Sequence, residues 1–91
     1  MRNQSFNLAA AKQQLRIPQL WALLKLPGTP AKSCRCPWRA DKRPSFSIFA
    51  EGLRWRDFDA DEGGDAIDFL AKARGLSVGD AIREFKRLSN L

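Results

Sequence analysis

Two thiols, a run of carboxylates and several arginines interleaved with aromatic rings are the groups of this chain that can do chemistry. Cys34 and Cys36 are one residue apart, and Asp57, Asp59, Asp61, Glu62, Asp65 and Asp68 follow later. Thiolates and carboxylates ligate metals, and a structural zinc ion asks for four Cys or His side chains in a tetrahedron. The chain contains no histidine. Cys34 and Cys36 backed by Asp57 or Asp59 are an improvised donor set, so no metal is expected. The carboxylates have a second reading, because Asp57, Asp59, Asp61, Asp65 and Asp68 fall at positions 1, 3, 5, 9 and 12 of a calcium-loop template. Glu62 stands where that template wants glycine and Asp68 where it wants glutamate. Asp65 and Asp68 also suit the start of a helix, where the dipole favours acids.

Charge is unevenly spread. The net charge is +6, but the segment up to Arg56 carries +9 and the segment from Asp57 carries −3. The first two-thirds therefore attracts anions, and a basic field of this kind raises the local concentration of nucleic acid with a salt-sensitive affinity. Solubility alone is the bland alternative.

The elements that must position these groups are short. Leu8, Ala9, Ala11 and Leu15, with Phe6 before them, suggest a helix that Pro18 interrupts. Ile17, Leu20, Trp21 and Leu24 then follow the i, i+3, i+4, i+7 spacing of a second helix, which places Trp21 in the core. Pro27-Gly28-Thr29-Pro30 stops it. Ser45 to Ala50 reads as a strand with Phe46, Ile48 and Ala50 on one face and Ser45, Ser47 and Phe49 on the other. A turn at Glu51-Gly52 leads into a second strand, Leu53 to Asp59. On it Leu53, Trp55 and Asp57 point one way and Arg54, Arg56 and Phe58 the other. Gly63-Gly64 reads as a turn, Asp65 as the N-cap of a helix ending at Gly75, and Ser77 as the start of a final helix with the stripe Ala81, Ile82, Phe85 and Leu88. A phosphate cradle at Gly63-Gly64 is rejected, since the surrounding carboxylates would repel the ligand.

Cys36-Pro37, Arg43 to Ser47 and Gly63 to Leu70 carry a resemblance. The chain resembles the zinc-binding, CHC2-type N-terminal domain of bacterial and phage DNA primases over about Ile17 to Leu88. That resemblance implies a zinc-ribbon-like α+β fold, a small antiparallel sheet flanked by N- and C-terminal helices. It places the zinc ligands at Cys36, Arg39, Asp57 and Ala60, of which Cys36 alone keeps the ligand type. An ion pair such as Arg39 with Asp57 is one way to replace the lost staple, and Trp21, Trp38, Trp55, Phe46, Phe58, Phe69 and Phe85 supply apolar area for a metal-independent core.

A chain of 91 residues, 44% of them hydrophobic, buries one modest core. We expect one domain over 1–91, with an N-terminal helical segment (1–30), strands (31–62) and two helices (63–91). Neighbouring cysteines one residue apart do not favour a disulfide. Neither a membrane-length apolar run nor a signal-like start is present, so no membrane partner and a reducing cytoplasm are expected. The resemblance implies template single-stranded DNA as a partner, with catalysis residing in a separate polymerase domain. The expectation is thus a DNA-binding accessory module of a primase-like replication protein, itself not an enzyme. Arg39, Lys42, Arg43, Arg54 and Arg56 are assigned to phosphates and Trp38 and Phe58 to base stacking. The alternative is a domain kept for protein contact, for example with a replicative helicase or a polymerase or primase catalytic domain.

Overall fold

Asn7 starts the first helix by accepting a hydrogen bond from the Ala10 amide at 3.1 Å, which satisfies one of the orphan donors of the first turn. The structure, a computed structural model, describes residues 7–40 and 43–89. Phe6 and Lys42 lie outside the described residues. Helix α1 (Leu8–Gln14) breaks at Leu15 and Arg16. Helix α2 (Ile17–Leu23) follows with Pro18 in its first turn, where a missing amide costs nothing. The Arg16 amide donates to Gln19 Oε1 at 2.8 Å. The stripe read from the sequence is the buried one: Ile17, Leu20, Trp21 and Leu24 all lie in the core.

Three strands, β1 (Phe46–Phe49), β2 (Arg54–Asp57) and β3 (Glu62–Gly64), form an antiparallel sheet in the order β1-β2-β3. The register sets Ile48 opposite Trp55, Phe46 opposite Asp57, and Trp55 opposite Gly64. The free edge of β1 is covered by the preceding loop. Cys34 and Phe46 exchange backbone hydrogen bonds of 2.8 and 3.0 Å, and the Ile48 amide donates to the Ala31 carbonyl at 3.0 Å.

Two elements depart from the sequence reading. Strand β1 ends before Ala50, because Ala50 and Glu51 take positive φ values of 53° and 58° inside a short 3-10 turn, Ala50–Gly52. Ala50 is therefore exposed rather than inward. Gly63 and Gly64 belong to strand β3 rather than to a turn, and the turn precedes them, with Asp61 at φ 54°. Both glycines answer to crowding. A Cβ on Gly63 would lie 2.7 Å from the Trp55 carbonyl oxygen, and one on Gly64 would lie 2.6 Å from the Asp68 Cβ.

Helix α3 (Ala66–Arg74) is closed at both ends. Asp65 Oδ1 accepts from the Ile67 and Asp68 amides at 3.0 and 3.2 Å, while Asp68 Oδ2 accepts from the Asp65 amide at 3.1 Å. Gly75 terminates the helix in the left-handed conformation. Helix α4 (Val78–Ser89) starts where Ser77 Oγ accepts from the Asp80 amide, and buries Ala81 and Phe85. Helix α3 packs against α2, α4 and the inner faces of β2 and β3.

The core is aromatic. Phe46 stacks on Trp55 with ring centroids 5.4 Å apart, Trp21 stacks on Phe69 at 5.8 Å, and Trp38 meets Phe46, Trp55 and Phe69 at 5.3 to 5.4 Å. Each buried ring contributes about 1.5–3 kcal/mol, with roughly another 0.5–1.5 kcal/mol for a well-oriented pair. The sheet thus has a closed inner face and an outer face left to solvent.

Candidate functional site

Asp57 is the last residue of β2, and the period of two along the strand turns it inward, where its side chain is fully buried. A buried carboxylate must be paired. Arg39, from the loop before β1, supplies the partner with both guanidinium nitrogens: Nη1 donates to Oδ2 at 2.6 Å and Nη2 to Oδ1 at 2.9 Å. This is the bidentate geometry that makes arginine–carboxylate pairs strong. The backbone amides of Asp59 and Ala60 each donate to Oδ1 at 3.2 Å, and Cys36 Sγ lies 3.8 Å from Oδ2. The Arg39 hydrogen bonds hold the Asp57 carboxyl below the usual carboxylate range, against the opposing effect of burial. Cys34 is turned away, its Sγ 3.4 Å from the Ala31 carbonyl, and burial pushes its thiol pKa up.

On the outer face, Phe49 lies opposite Arg54 and Ser47 opposite Arg56. Phe58 follows β2 and is 65% exposed, and the Arg56 guanidinium carbon lies 5.9 Å from its ring centroid, a cation–π stack. Of the residues assigned to phosphates, Arg39 pairs with Asp57, Arg43 with Asp59 at 3.0 Å, and Arg56 with Asp61. Arg54 is exposed and has no ion-pair partner among the described residues. Trp38, assigned to stacking, is half-buried in the aromatic cluster.

Sequence reasoning passed over Phe49, Lys25, Lys32 and Arg35. Phe49 is 42% exposed on the same face as Arg54. Its outward parity was visible along β1, but its position beside an arginine depends on the register. Lys25, Lys32 and Arg35 are exposed in the stretch that joins α2 to β1, also without ion-pair partners among the described residues.

The carboxylates of the calcium template go separate ways. Asp57 serves Arg39, Asp59 serves Arg43 and Asp61 serves Arg56. Asp65 pairs with Lys12 of α1 at 2.7 Å, while Glu62 pairs with Lys72 at 2.8 Å. Among the described residues, no group of three or more His, Cys, Asp or Glu side chains converges on a common point.

The profile of the CHC2 zinc finger family matches residues 17–91. The chain belongs to the CHC2 zinc finger family. The DNA primase of Chlamydia trachomatis is 37% identical to this CHC2 zinc finger over 59 residues, 65% of this chain and 10% of the relative. That of Campylobacter jejuni is 39% identical over 57 residues, 63% of this chain and 9% of the relative. The DNA primase of Lactococcus lactis is 37% identical over 49 residues, 54% of this chain and 8% of the relative. The chain spans about a tenth of the length of these relatives. No solved structure matches. The chain is therefore a primase-related domain, and its α+β fold of helices around a three-stranded antiparallel sheet agrees with the resemblance.

Among the described residues, the positions that the resemblance assigns to zinc ligands do not make up a zinc donor set. Of the four positions that the resemblance assigns to ligands, Cys36 has a thiol, Arg39 a permanent cation, Asp57 a carboxylate committed to that cation, and Ala60 no donor in its side chain. A zinc ion drawn to the Asp57 oxygens would compete with a guanidinium 2.6 Å away.

Proposed function

We propose that this domain is a DNA-binding accessory module of a primase-like replication protein, acting on single-stranded DNA in the cytoplasm. The observation that carries the reading is the outer face of the sheet, where Arg54 lies opposite the exposed Phe49 and Arg56 lies over the exposed ring of Phe58. Guanidiniums bind phosphates without regard to sequence, and exposed rings accept stacked bases. Arg39, Lys42 and Arg43 add charge in the segment before β1, and Lys25, Lys32 and Arg35 add it elsewhere in the stretch that joins α2 to β1. Primer synthesis itself belongs to a catalytic domain elsewhere, which is a natural partner of this module.

Fluorescence anisotropy of a labelled single-stranded oligonucleotide, titrated at low and near-physiological salt, tests the reading. Arg54→Ala with Arg56→Ala is expected to weaken binding for all sequences and to reduce the salt slope by about 1–2, while shifting stability by no more than about 0.5 kcal/mol. Undiminished binding by the double variant removes this face from the proposal.

A second reading is favoured by the ion pairs. Arg39, Arg43 and Arg56 already face carboxylates of the same chain, which lowers the face's attraction for phosphate, and Leu23 and Val78 are exposed apolar side chains elsewhere on the surface. On this reading the domain is a contact surface for a replicative helicase or polymerase subunit, and absence of DNA binding at low salt is its signature.

A further inference from the structure

Cys36, Arg39, Asp57 and Ala60 meet at one carboxylate, although they come from two separate segments. The first segment contributes the guanidinium at 2.6 and 2.9 Å and the Cys36 sulfur at 3.8 Å. The second contributes the carboxylate itself and the Ala60 amide, 3.2 Å from Oδ1. Ser45 Oγ lies 3.4 Å from Arg39 Nη2 and closes the cluster on the side of β1. A structural zinc ion in such a place does two things: it ties two segments of chain together, and it supplies the positive charge that keeps its anionic ligands stable in a buried site.

We propose that the Arg39–Asp57 pair performs both tasks in place of the metal, and that the cluster keeps the spacing of the centre it replaces. The cation is covalently part of the first segment and the anion part of the second, so the pair cross-links the same segments that a metal would. Its charges cancel within the cluster, where the Cys36 sulfur lies 3.8 Å from Oδ2. Arginine suits the position better than lysine because a planar fork meets both carboxylate oxygens at once. The turn from Asp57 to Ala60 aims two amides at the anion, so Asp57 is held even where the guanidinium is partly wetted. Arg39 side-chain exposure is 34% against 0% for Asp57, which places the cation at the rim and the anion within. The consequence is a family member whose fold is independent of zinc supply and of chelators. This inference stands apart from the DNA reading and survives its failure.

Two measurements on the full chain decide it. The first compares zinc content, by mass spectrometry of the purified protein after equilibration with zinc, and unfolding midpoints with and without EDTA. The wild type is expected to hold well under one equivalent and to unfold at the same midpoint with chelator. The variant carrying R39H, D57C and A60C is expected to hold about one zinc per chain and to become sensitive to chelator. Stoichiometric zinc in the wild type overturns the proposal. A triple variant that fails to take up zinc, folded or not, overturns the retained spacing, since a fitted metal restores the fold.

The second measurement is a double-variant cycle with Arg39→Met and Asp57→Leu. Each single variant is expected to lower the midpoint clearly and the double variant to recover most of the loss, because an unpaired buried charge is worse than an apolar pair. Strictly additive losses, or no loss in Arg39→Met, mean that the pair is not the staple.

Discussion

Trp55 Nε1 donates a 2.9 Å hydrogen bond to the backbone carbonyl of Asp65, tying the central strand to the residue that caps α3. The indole therefore does more than fill the core, since it fixes where α3 begins relative to the strand that presents Arg54 and Arg56 outward. Trp55→Phe removes the donor but leaves the Asp65 carbonyl with its helical partner, the Phe69 amide at 3.0 Å. The loss is then one net hydrogen bond and part of a ring, about 2 kcal/mol in all. Urea unfolding followed by circular dichroism measures it. A loss well under 1 kcal/mol would mean that stacking on Phe46 does nearly everything the residue does.

Asp59 occupies Arg43 and Asp61 occupies Arg56, the arginine over the Phe58 ring, so they compete with any phosphate for the same guanidiniums. Exposed pairs of this kind are worth at most about 1 kcal/mol each. Asp59→Asn with Asp61→Asn should tighten single-stranded DNA about three- to tenfold at low salt, with little change in stability. Unchanged affinity in an anisotropy titration would show that Arg43 and Arg56 do not contact the nucleic acid.

Acid should unfold the domain through Asp57 and Asp65. Arg39 hydrogen bonds lower the Asp57 carboxyl against the effect of burial. At Asp65 burial acts to raise it, but the Lys12 ion pair and the Asp68 amide together outweigh that and lower it. With folded values below the unfolded value of about 3.9, the native state binds fewer protons than the unfolded chain in that interval. Their contribution is complete above roughly pH 5 and is lost as pH falls through the folded values, below about pH 4. Denaturant midpoints measured from neutral to acidic pH should fall steeply at the acid end, and less steeply in Arg39→Met. A midpoint that does not change with pH would contradict both assignments.

Two glycines should respond to alanine in opposite directions. A methyl group on Gly64 runs into Asp68, whose carboxylate caps α3, and the overpacking and loosened cap cost about 2–3 kcal/mol. Gly79 lies in the first turn of α4, and a methyl group there would meet nothing within 4 Å, so Gly79→Ala should stabilise by about 0.5 kcal/mol through the reduced freedom of the unfolded chain. Thermal melts of the two variants test this, and a neutral Gly64→Ala would mean that β3 yields to make room.

By itself the sequence determined the elements whose signals are local. The apolar stripe of α2, the Asp65 cap, the Gly75 stop and the two faces of β2 all follow from periods of 3.6 or 2 and from side chains that reach only their own backbone. It also identified the family, because Cys36-Pro37 and Gly63 to Leu70 are contiguous. Tertiary structure decided what depends on segments far apart in the chain. Gly63 and Gly64 read as a turn until the crowding of Trp55 and Asp68 shows them to be a strand. Arg39 was assigned to phosphate as well as named as an ion-pair partner of Asp57, and its bidentate bond depends on the loop before β1 folding back over the end of β2. Trp38 joined the aromatic cluster, Phe49 came to lie beside Arg54, and Arg54 was left without an anion among the described residues while Arg43 and Arg56 gained one. Periodicity states which way a side chain points along its own element, but strand register and loop return set which charge it meets there.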